Sequence, residues 1–390
     1  MNAPKLRFKE FNDEWCYQPL SKYVNRIITK NKSNESNLVL TISAQLGLID
    51  QTKFFNRSVS SSNLTEYYLL KNGDFAYNKS YSNGYPWGAV KRLNKYNQGV
   101  VSPLYICFKP NNLINSNYLE QYFETNKWYQ QISEVSVEGA RNHGLLNIAV
   151  NDFFDTKHYI PSMEEQLKIA NFLSLLDKKI ELQSRKIEDL KLFKLYTENN
   201  LLNSNSSIYW KKIKLNDILI EGNKKPVKNT NDFKKITIKL NLNGLEFNES
   251  KREKSDRRPF YIREENEIII GKQNYFNGSI AIVTKEFSGC ICSNAIMSFK
   301  VKEGYNLKYI YLYLSQKKYM KEREFLANGT GQKELSEKEF LKFTIKVPED
   351  SVVKNITNII DKINKKINFE KNKLTKLIEL KKGVMQNMFV

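Results

Sequence analysis

The residues of this sequence that could do chemistry are few. Only two histidines are present, His143 and His158, so histidine-based metal sites and catalytic triads have very few candidate residues. Among the four cysteines, Cys290 and Cys292 are separated by one residue, which is not the paired spacing of a zinc site. We therefore expect reduced thiols in a cytosolic protein, and histidines that are structural or that contact DNA.

Motifs of enzymes that act on nucleic acids are also missing. The Gly271-Lys272 pair is followed by Gln273 and lacks the upstream glycine of a phosphate-binding loop. No two prolines are adjacent, so the Pro-Pro core of an amino-methyltransferase motif is absent. Glu249 and Lys251 enclose one serine, like the tail of a nuclease motif, but no Pro-Asp dipeptide accompanies them. The sequence thus predicts no catalytic residue, metal or cofactor in this chain, and a DNA endonuclease using these two residues is a minor alternative.

The charge of the chain points to a polyanionic partner. Its 390 residues contain 62 Lys and Arg against 42 Asp and Glu, a net charge of +20. Residues 161–200 and 349–390 carry only +4 of that charge, so most of the excess lies elsewhere. With 41% hydrophobic residues and no apolar run of about 18 residues, the composition is typical of a folded, soluble, cytoplasmic protein without a membrane span.

The elements that would position a binding surface occur twice. Trp15 and Trp210 open similar stretches, and each copy continues through strand patterns, an aromatic helix, a polar glycine loop and a proline. From Pro161 and Pro348 onward the copies keep one offset of 187 residues. The predicted segments are a first domain at 1–160, a long helix at 161–200, a linker at 201–209, a second domain at 210–348 and a long helix at 349–390.

The two long helical segments have a narrow apolar seam. Helices longer than about 25 residues without interior caps are typical of coiled coils, so we expect the two to pair; separate core helices are the alternative. The predicted seam consists of Ile169, Leu173, Leu176, Ile180, Ile187, Leu190, Ile356, Ile360, Ile363, Ile367, Leu374 and Leu377. Apolar residues outside the seam are candidates for docking a partner protein, with core packing as an equal alternative: Phe172, Leu175, Phe193, Ile359 and Leu380.

Candidate DNA-binding residues lie in loops that combine amide, cationic and aromatic side chains beside glycine. The candidates of the first copy are Asn78, Lys79, Tyr81, Asn83, Tyr85, Lys91, Arg92, Arg141, Asn142 and His143. Those of the second copy are Lys251, Arg252, Arg257, Arg258, Lys272, Gln273, Asn274, Tyr275, Gln332 and Lys333. Ordinary polar hairpins or solvated loops are the alternative for these segments.

The whole plan resembles the specificity subunits of type I restriction-modification systems. The resemblance is carried by the Trp15 and Trp210 starts, by the glycine loops at 138–146 and 329–333, and above all by the Ile-Pro-Ser-Met-Glu-Glu-Gln stretch at 160–166. The second copy departs from that stretch, since Val347-Pro348 is followed by no Glu-Gln pair. The departure puts in doubt whether both helix starts bind a partner equally well.

The resemblance implies a mixed, strand-rich α/β fold with two tandem target-recognition domains and two antiparallel coiled-coil helices. Each domain would read one half of a bipartite, asymmetric sequence in double-stranded DNA. It also implies that two methyltransferase subunits and two restriction and translocation subunits assemble on this noncatalytic chain, and that S-adenosylmethionine, ATP and Mg²⁺ belong to those partners. A DNA-binding protein that works alone, or a structural coiled-coil adaptor, remains an alternative.

Overall fold

A computed structural model describes residues 3–55, 63–136, 146–203, 209–248, 258–326 and 334–390. The chain divides into two compact units. The first unit contains residues Met1–Arg185 and Lys371–Val390, and the second contains Lys186–Glu370. The part of the first unit up to residue 160 is called the first head, and residues 209–348 are called the second head.

The first head consists of short antiparallel strands and four short helices. A four-stranded sheet has the order β2-β9-β6-β7, and three strand pairs, β1-β10, β3-β4 and β5-β8, surround it. The strands are β1 (Cys16–Pro19), β2 (Val24–Arg26), β3 (Leu40–Ser43), β4 (Gly47–Asp50), β5 (Tyr68–Lys71), β6 (Phe75–Asn78), β7 (Ala89–Arg92), β8 (Gln98–Val101), β9 (Ile106–Pro110) and β10 (Lys157–Ile160). The helices are α1 (Gln51–Phe55), α2 (Ser116–Phe123), α3 (Tyr129–Val135) and α4 (Val150–Asp155), and the long helix α5 (Met163–Leu202) follows.

The second head repeats this connectivity strand for strand. Its sheet has the order β12-β19-β16-β17, and its pairs are β11-β20, β13-β14 and β15-β18, so each strand number is ten higher than its counterpart. The strands are β11 (Lys211–Lys214), β12 (Leu219–Glu221), β13 (Ile236–Ile238), β14 (Leu245–Phe247), β15 (Phe260–Ile262), β16 (Ile268–Gly271), β17 (Ile280–Ile282), β18 (Ile291–Ser293), β19 (Ile296–Val301) and β20 (Thr344–Val347). The helices are α6 (Leu215–Ile218), α7 (Leu307–Leu314), α8 (Lys317–Lys321), α9 (Glu337–Leu341) and the long α10 (Asp350–Met388).

The two heads build equivalent cores from different residues. Buried strand β6 supplies Phe75 and Tyr77, whereas its counterpart β16 supplies isoleucines. The helix that packs on the sheet is capped in the same way in both heads, because Asn115 and Asn306 each accept hydrogen bonds from backbone amides of the first turn. The same backbone plan therefore tolerates two unlike sets of side chains.

The long helices supply residues to both units. In the first unit, Leu173 of α5 and Met388 of α10 lie in one core together with the first head, and the Phe389 ring packs at a tilt against Tyr118 and Tyr122. In the second unit, the end of α5 and the start of α10 share the core of the second head through Leu202 and Ile356. The helices thus run in opposite directions within each unit.

None of the twelve predicted seam residues is exposed. Seven are buried and five are half-buried. Ile169 and Leu173, however, belong to the core of the first head, and Ile356 belongs to that of the second. The apolar stripe therefore fixes each helix start in a head as well as packing helix against helix. In the described part of the chain, no helix is long and apolar enough to span a membrane.

Candidate nucleic-acid interface

In the first head, a backbone hydrogen bond joins the two predicted reading loops. Lys79 follows strand β6, and its carbonyl accepts a hydrogen bond from the Leu146 amide at 2.7 Å. The Lys79 ammonium donates to the Ile148 carbonyl at 3.0 Å. The loop that begins at Asn78 and the segment that follows residue 145 therefore meet at one place. Three further candidates lie outside the described residues: Arg141, Asn142 and His143.

The tip of the first loop is a tight hairpin with exposed side chains. The Tyr85 amide donates to the Ser82 carbonyl at 2.8 Å, and Gly84 has a left-handed φ of 82° that a side chain would disfavour. Tyr81 is 62% exposed and Asn83 is also exposed. An aromatic ring and an amide are thus available for stacking and hydrogen bonding, as DNA contact requires.

Lys91 and Arg92 have intramolecular partners. Lys91 is buried, lies 2.5 Å from Glu124 and sits 4.9 Å from the centre of the Tyr85 ring. Arg92 lies 2.5 Å from Glu120. Both cations hold strand β7 to helix α2, and their charge is matched by carboxylates. The interpretation of Lys91 as a DNA contact is therefore corrected: its buried ammonium is a packing and ion-pairing group.

The second head repeats the loop anchor. The Leu335 amide donates to the Lys272 carbonyl at 2.9 Å, as Leu146 does to Lys79 in the first head. Gln273 and Asn274 are exposed beside it. Tyr275 is fully buried and its hydroxyl donates to the Leu314 carbonyl at 2.9 Å, so the prediction that it contacts DNA is wrong.

Only one candidate of the basic run in the second head lies among the described residues. Arg258 is exposed at the start of the described segment. The other candidates of this run and of the neighbouring glycine loop lie outside the described residues: Lys251, Arg252, Arg257, Gln332 and Lys333.

A buried polar junction, whose role the sequence did not reveal, joins α5 to the first head. Glu165 is 1% exposed and accepts two hydrogen bonds from the Arg7 guanidinium, each at 2.8 Å, and one from Trp15 Nε1 at 3.2 Å. The carboxylate raises the pKa of Arg7 through the side-chain hydrogen bond. Gln166 is equally buried and accepts from the Asn115 amide at 2.7 Å, while its own amide donates to the Pro161 carbonyl at 3.0 Å. The Glu-Gln pair of the 160–166 stretch was the signal for this junction.

The second copy lacks this junction. At the shared offset of 187 residues, Val352 and Val353 stand where Glu165 and Gln166 stand in the first copy. Trp210 Nε1 is consequently buried with no hydrogen-bond partner in the described part of the chain. In the second copy, two valines thus replace the Glu-Gln pair, and the polar contact between helix and head becomes an apolar one.

Histidine His158 is a structural residue of the first head. It is 3% exposed, and its ring nitrogens lie 2.8 Å from the Tyr122 hydroxyl and 2.9 Å from the Thr156 hydroxyl. Burial lowers its pKa from 6.5 to about 3, so the ring is neutral at physiological pH.

We expect His158 to make the protein sensitive to mild acid. Its pKa is lower in the folded state than in the unfolded state, so its contribution is complete above pH 6.5 and is lost as the pH falls toward 3. One unit below 6.5, the loss should be about 1.4 kcal/mol of unfolding free energy. Urea denaturation at pH 7.5 and 5.5 should show this loss, and His158→Asn should remove most of it. The same change at the other histidine, His143→Asn, serves as the control, and a pH dependence unchanged by His158→Asn would contradict the assignment.

The predicted docking residues differ in exposure. Leu175 is 66% exposed, Phe193 55% and Leu380 53%, whereas Ile359 is half-buried. Phe172 is also half-buried and packs edge-on against Phe8 with 5.9 Å between the ring centres. Of the five predicted docking residues, the two leucines and Phe193 therefore project into solvent.

The second half of the chain is similar to a known family of protein domains. Residues 208–380 match the model of the type I restriction modification DNA specificity domain. No curated protein matches the chain in sequence. Within the described residues, no group of His, Cys, Asp and Glu side chains could hold a metal ion.

Solved structures share the fold over nearly the whole chain. A chain studied for complex assembly and conformational transition of the type I R-M system is 12% identical; 98% of this chain and 99% of that one align with a TM-score of 0.58. The S subunit of a type I restriction-modification system from M. genitalium is 16% identical over 100% and 99% of the two chains, with a TM-score of 0.52. The HsdS subunit from Thermoanaerobacter tengcongensis is 12% identical over 98% and 99%, with a TM-score of 0.49. The predicted mixed α/β fold with its two long helices is confirmed.

Proposed function

We propose that this chain is a DNA specificity subunit of a type I restriction-modification system and that each head reads one half of a split, asymmetric DNA sequence. The observation that carries the proposal is the strand-for-strand repetition of one head by the other with different side chains. Two copies of one reading fold with unlike surfaces read two unlike half-sites. Their joint specificity is the sum of two short readouts, since each correct base pair contributes about 1–3 kcal/mol against a mismatch.

The long helices are the proposed spacer and partner platform. Each of them contributes residues to both units, so both heads are attached to the same pair of helices. Exposed leucines on α5 and α10 fit an interface with another protein, because large apolar side chains lose unfavourable contact with water on docking. Two methyltransferase subunits are the proposed occupants, and two restriction subunits complete the assembly. The chain itself is proposed to be noncatalytic, with S-adenosylmethionine, ATP and Mg²⁺ held by those partners.

The docking proposal predicts a specific loss of assembly. Leu175→Asp and Leu380→Asp each place a charge on an exposed helix position, so the chain should fold normally while its affinity for the methyltransferase subunit falls at least about tenfold. Copurification and calorimetric titration would measure the loss. Leu46→Asp makes the same change at a leucine of the first head that is 55% exposed, and it should leave assembly intact. Equal assembly by all three variants would contradict the proposed platform.

Methylation sequencing of the host genome tests the function as a whole. We expect one split, asymmetric N6-methyladenine motif in cells with the intact gene, and its disappearance when the gene is deleted. An unchanged set of methylated motifs, with the methyltransferase subunits demonstrably expressed, would refute the role in directing methylation and would favour a DNA-binding protein that works alone.

A further inference from the structure

A small cleft lies at the same place in each head. The first measures about 160 Å³ and the second about 220 Å³. Lys79 lines the first and its counterpart Lys272 lines the second, which places both clefts where the two reading loops of each head meet. The backbone beside them also repeats: the Ile27 amide donates to the Cys107 carbonyl at 2.8 Å, and the Gly222 amide donates to the Ser298 carbonyl at 2.8 Å.

The first cleft is largely apolar. Ile27, Cys107 and Val150 contribute to its walls, and Leu104 stands at its rim with 70% of its surface exposed. An exposed leucine beside an apolar recess offers contact area to a small apolar group. Arg26 lies at the same cleft and is exposed, so a cation accompanies the apolar surface.

The second cleft is polar at the equivalent positions. Gly222, Ser298 and Glu337 replace the three apolar wall residues of the first. A Cβ at Gly222 would come within 2.6 Å of Ser298 Oγ, so the glycine keeps the floor of the cleft open. Ser298 donates to the buried carboxylate of Glu267 at 2.8 Å, and the exposed amide side chain of Asn294 lies at the cleft.

We propose that these two clefts are the places where the heads contact base-pair edges in the major groove, and that their opposite polarity gives the half-sites different preferences. The first cleft takes the methyl group of thymine, because that methyl is the apolar feature that base edges present in this groove. The second cleft takes a hydrogen-bonding base edge, for which the exposed asparagine amide is suited. Leu104 and Asn294 are the residues that determine specificity.

Position, charge and repetition support DNA as the occupant. The clefts lie at the anchored ends of the polar loops in both heads, and Arg26 brings positive charge to the edge of the first. At the second cleft, Lys224 lies 2.5 Å from Glu337, so its charge is matched by a carboxylate. The change of the three wall residues from apolar to polar between the heads is the difference that two readers of unlike half-sites require. This inference rests on the proposed function. It identifies the surface of each head that reads the bases, and the kind of base edge that each half-site presents to it.

The test uses the full chain in complex with its methyltransferase subunits and duplexes that carry the methylated motif. Each thymine of the motif is replaced in turn by deoxyuridine, which removes only the methyl group. One replacement in one half-site should weaken binding about fourfold, the equivalent of one buried methyl. Leu104→Ala should abolish this difference between thymine and uracil. Asn294→Ala should instead relax one base pair of the other half-site, with a loss of discrimination between about fivefold and hundredfold.

Both substituted side chains are exposed, so the variants are expected to fold, and normal circular dichroism and complex assembly would verify this. Thymine discrimination that survives Leu104→Ala, a motif in which no uracil replacement matters, or two variants that act on the same half-site would overturn the inference. A complex that methylates no motif and binds no DNA sequence selectively would refute the proposed function itself. The two failures are thus distinguishable.

Discussion

Glu165→Gln is expected to lower the unfolding free energy of the first unit by about 3 kcal/mol. The carboxylate is 1% exposed and neutralises the Arg7 guanidinium, whose side chain is only 15% exposed. Removing one partner of a buried ion pair leaves the other charge without compensation in a poorly hydrated site. Chemical denaturation followed by tryptophan fluorescence would measure the change, since Trp15, Trp87 and Trp128 all lie in the first head.

The neighbouring Glu164 gives a matched control. It is exposed in the same helical turn, so Glu164→Gln removes the same charge and should cost less than about 1 kcal/mol through the helix dipole alone. A second pair of variants tests the hydrogen bond. Trp15→Phe removes the indole N–H that donates to Glu165. Trp210→Phe removes a buried N–H that has no described partner. Only the Trp15 variant therefore loses a hydrogen bond. Equal effects of the two glutamate variants would contradict the assigned role of the junction.

A change in the number of base pairs between the half-sites is expected to reduce affinity at least about thirtyfold. Each added base pair moves one half-site by about 3.4 Å and rotates it by about a tenth of a turn around the duplex. As the proposed spacer, the helices enter the cores of the heads through Ile169, Leu173 and Ile356, so reading a displaced half-site would disturb that packing. Losing the recognition of only two base pairs costs about 2–6 kcal/mol of binding free energy. This corresponds to a loss of affinity by a factor of about 30 to more than 10,000.

Binding of the complex to duplexes with the native spacer and with one or two base pairs inserted would measure this loss. The control duplex carries the same insertion outside the motif and should bind like the native one. Affinity independent of spacer length would mean that the helices do not set the separation of the half-sites.

The large features of this protein follow from its sequence because repetition and periodicity are cooperative signals. A helix of 40 residues repeats its apolar spacing many times, so the pattern is recognisable even where single positions depart from it. The helices α5 and α10 differ from the predicted helices by only a few residues at their ends. The orientation of a single side chain in a loop is not indicated by any repeated pattern. Tyr275 has the pattern of a loop aromatic between Asn274 and Asn277, but the turn that contains it folds inward and places the ring in the core.

The ion pairs of the first head cannot be predicted from the sequence, because their partners are distant along the chain. Lys91 and Arg92 follow an apolar run, which is the pattern of a basic strand end that faces a ligand. Their carboxylate partners, Glu124 and Glu120, lie about 30 residues further along on another element, so only the packing of α2 on β7 brings them together. The Glu-Gln pair at 165–166 was visible as a pattern, but its partner Arg7 lies 158 residues away.

The packing of Met385, Met388 and Phe389 into the core of the first head has a consequence for biosynthesis. The second unit is one continuous stretch, Lys186–Glu370, and can complete its core as soon as that stretch has left the ribosome. The first unit is discontinuous, so Tyr118 and Tyr122 stay uncovered until Phe389 has been synthesised, although they are made much earlier. The first head is therefore synthesised before the second but completes its core after it, and a premature stop near residue 380 would damage the first head while sparing the second.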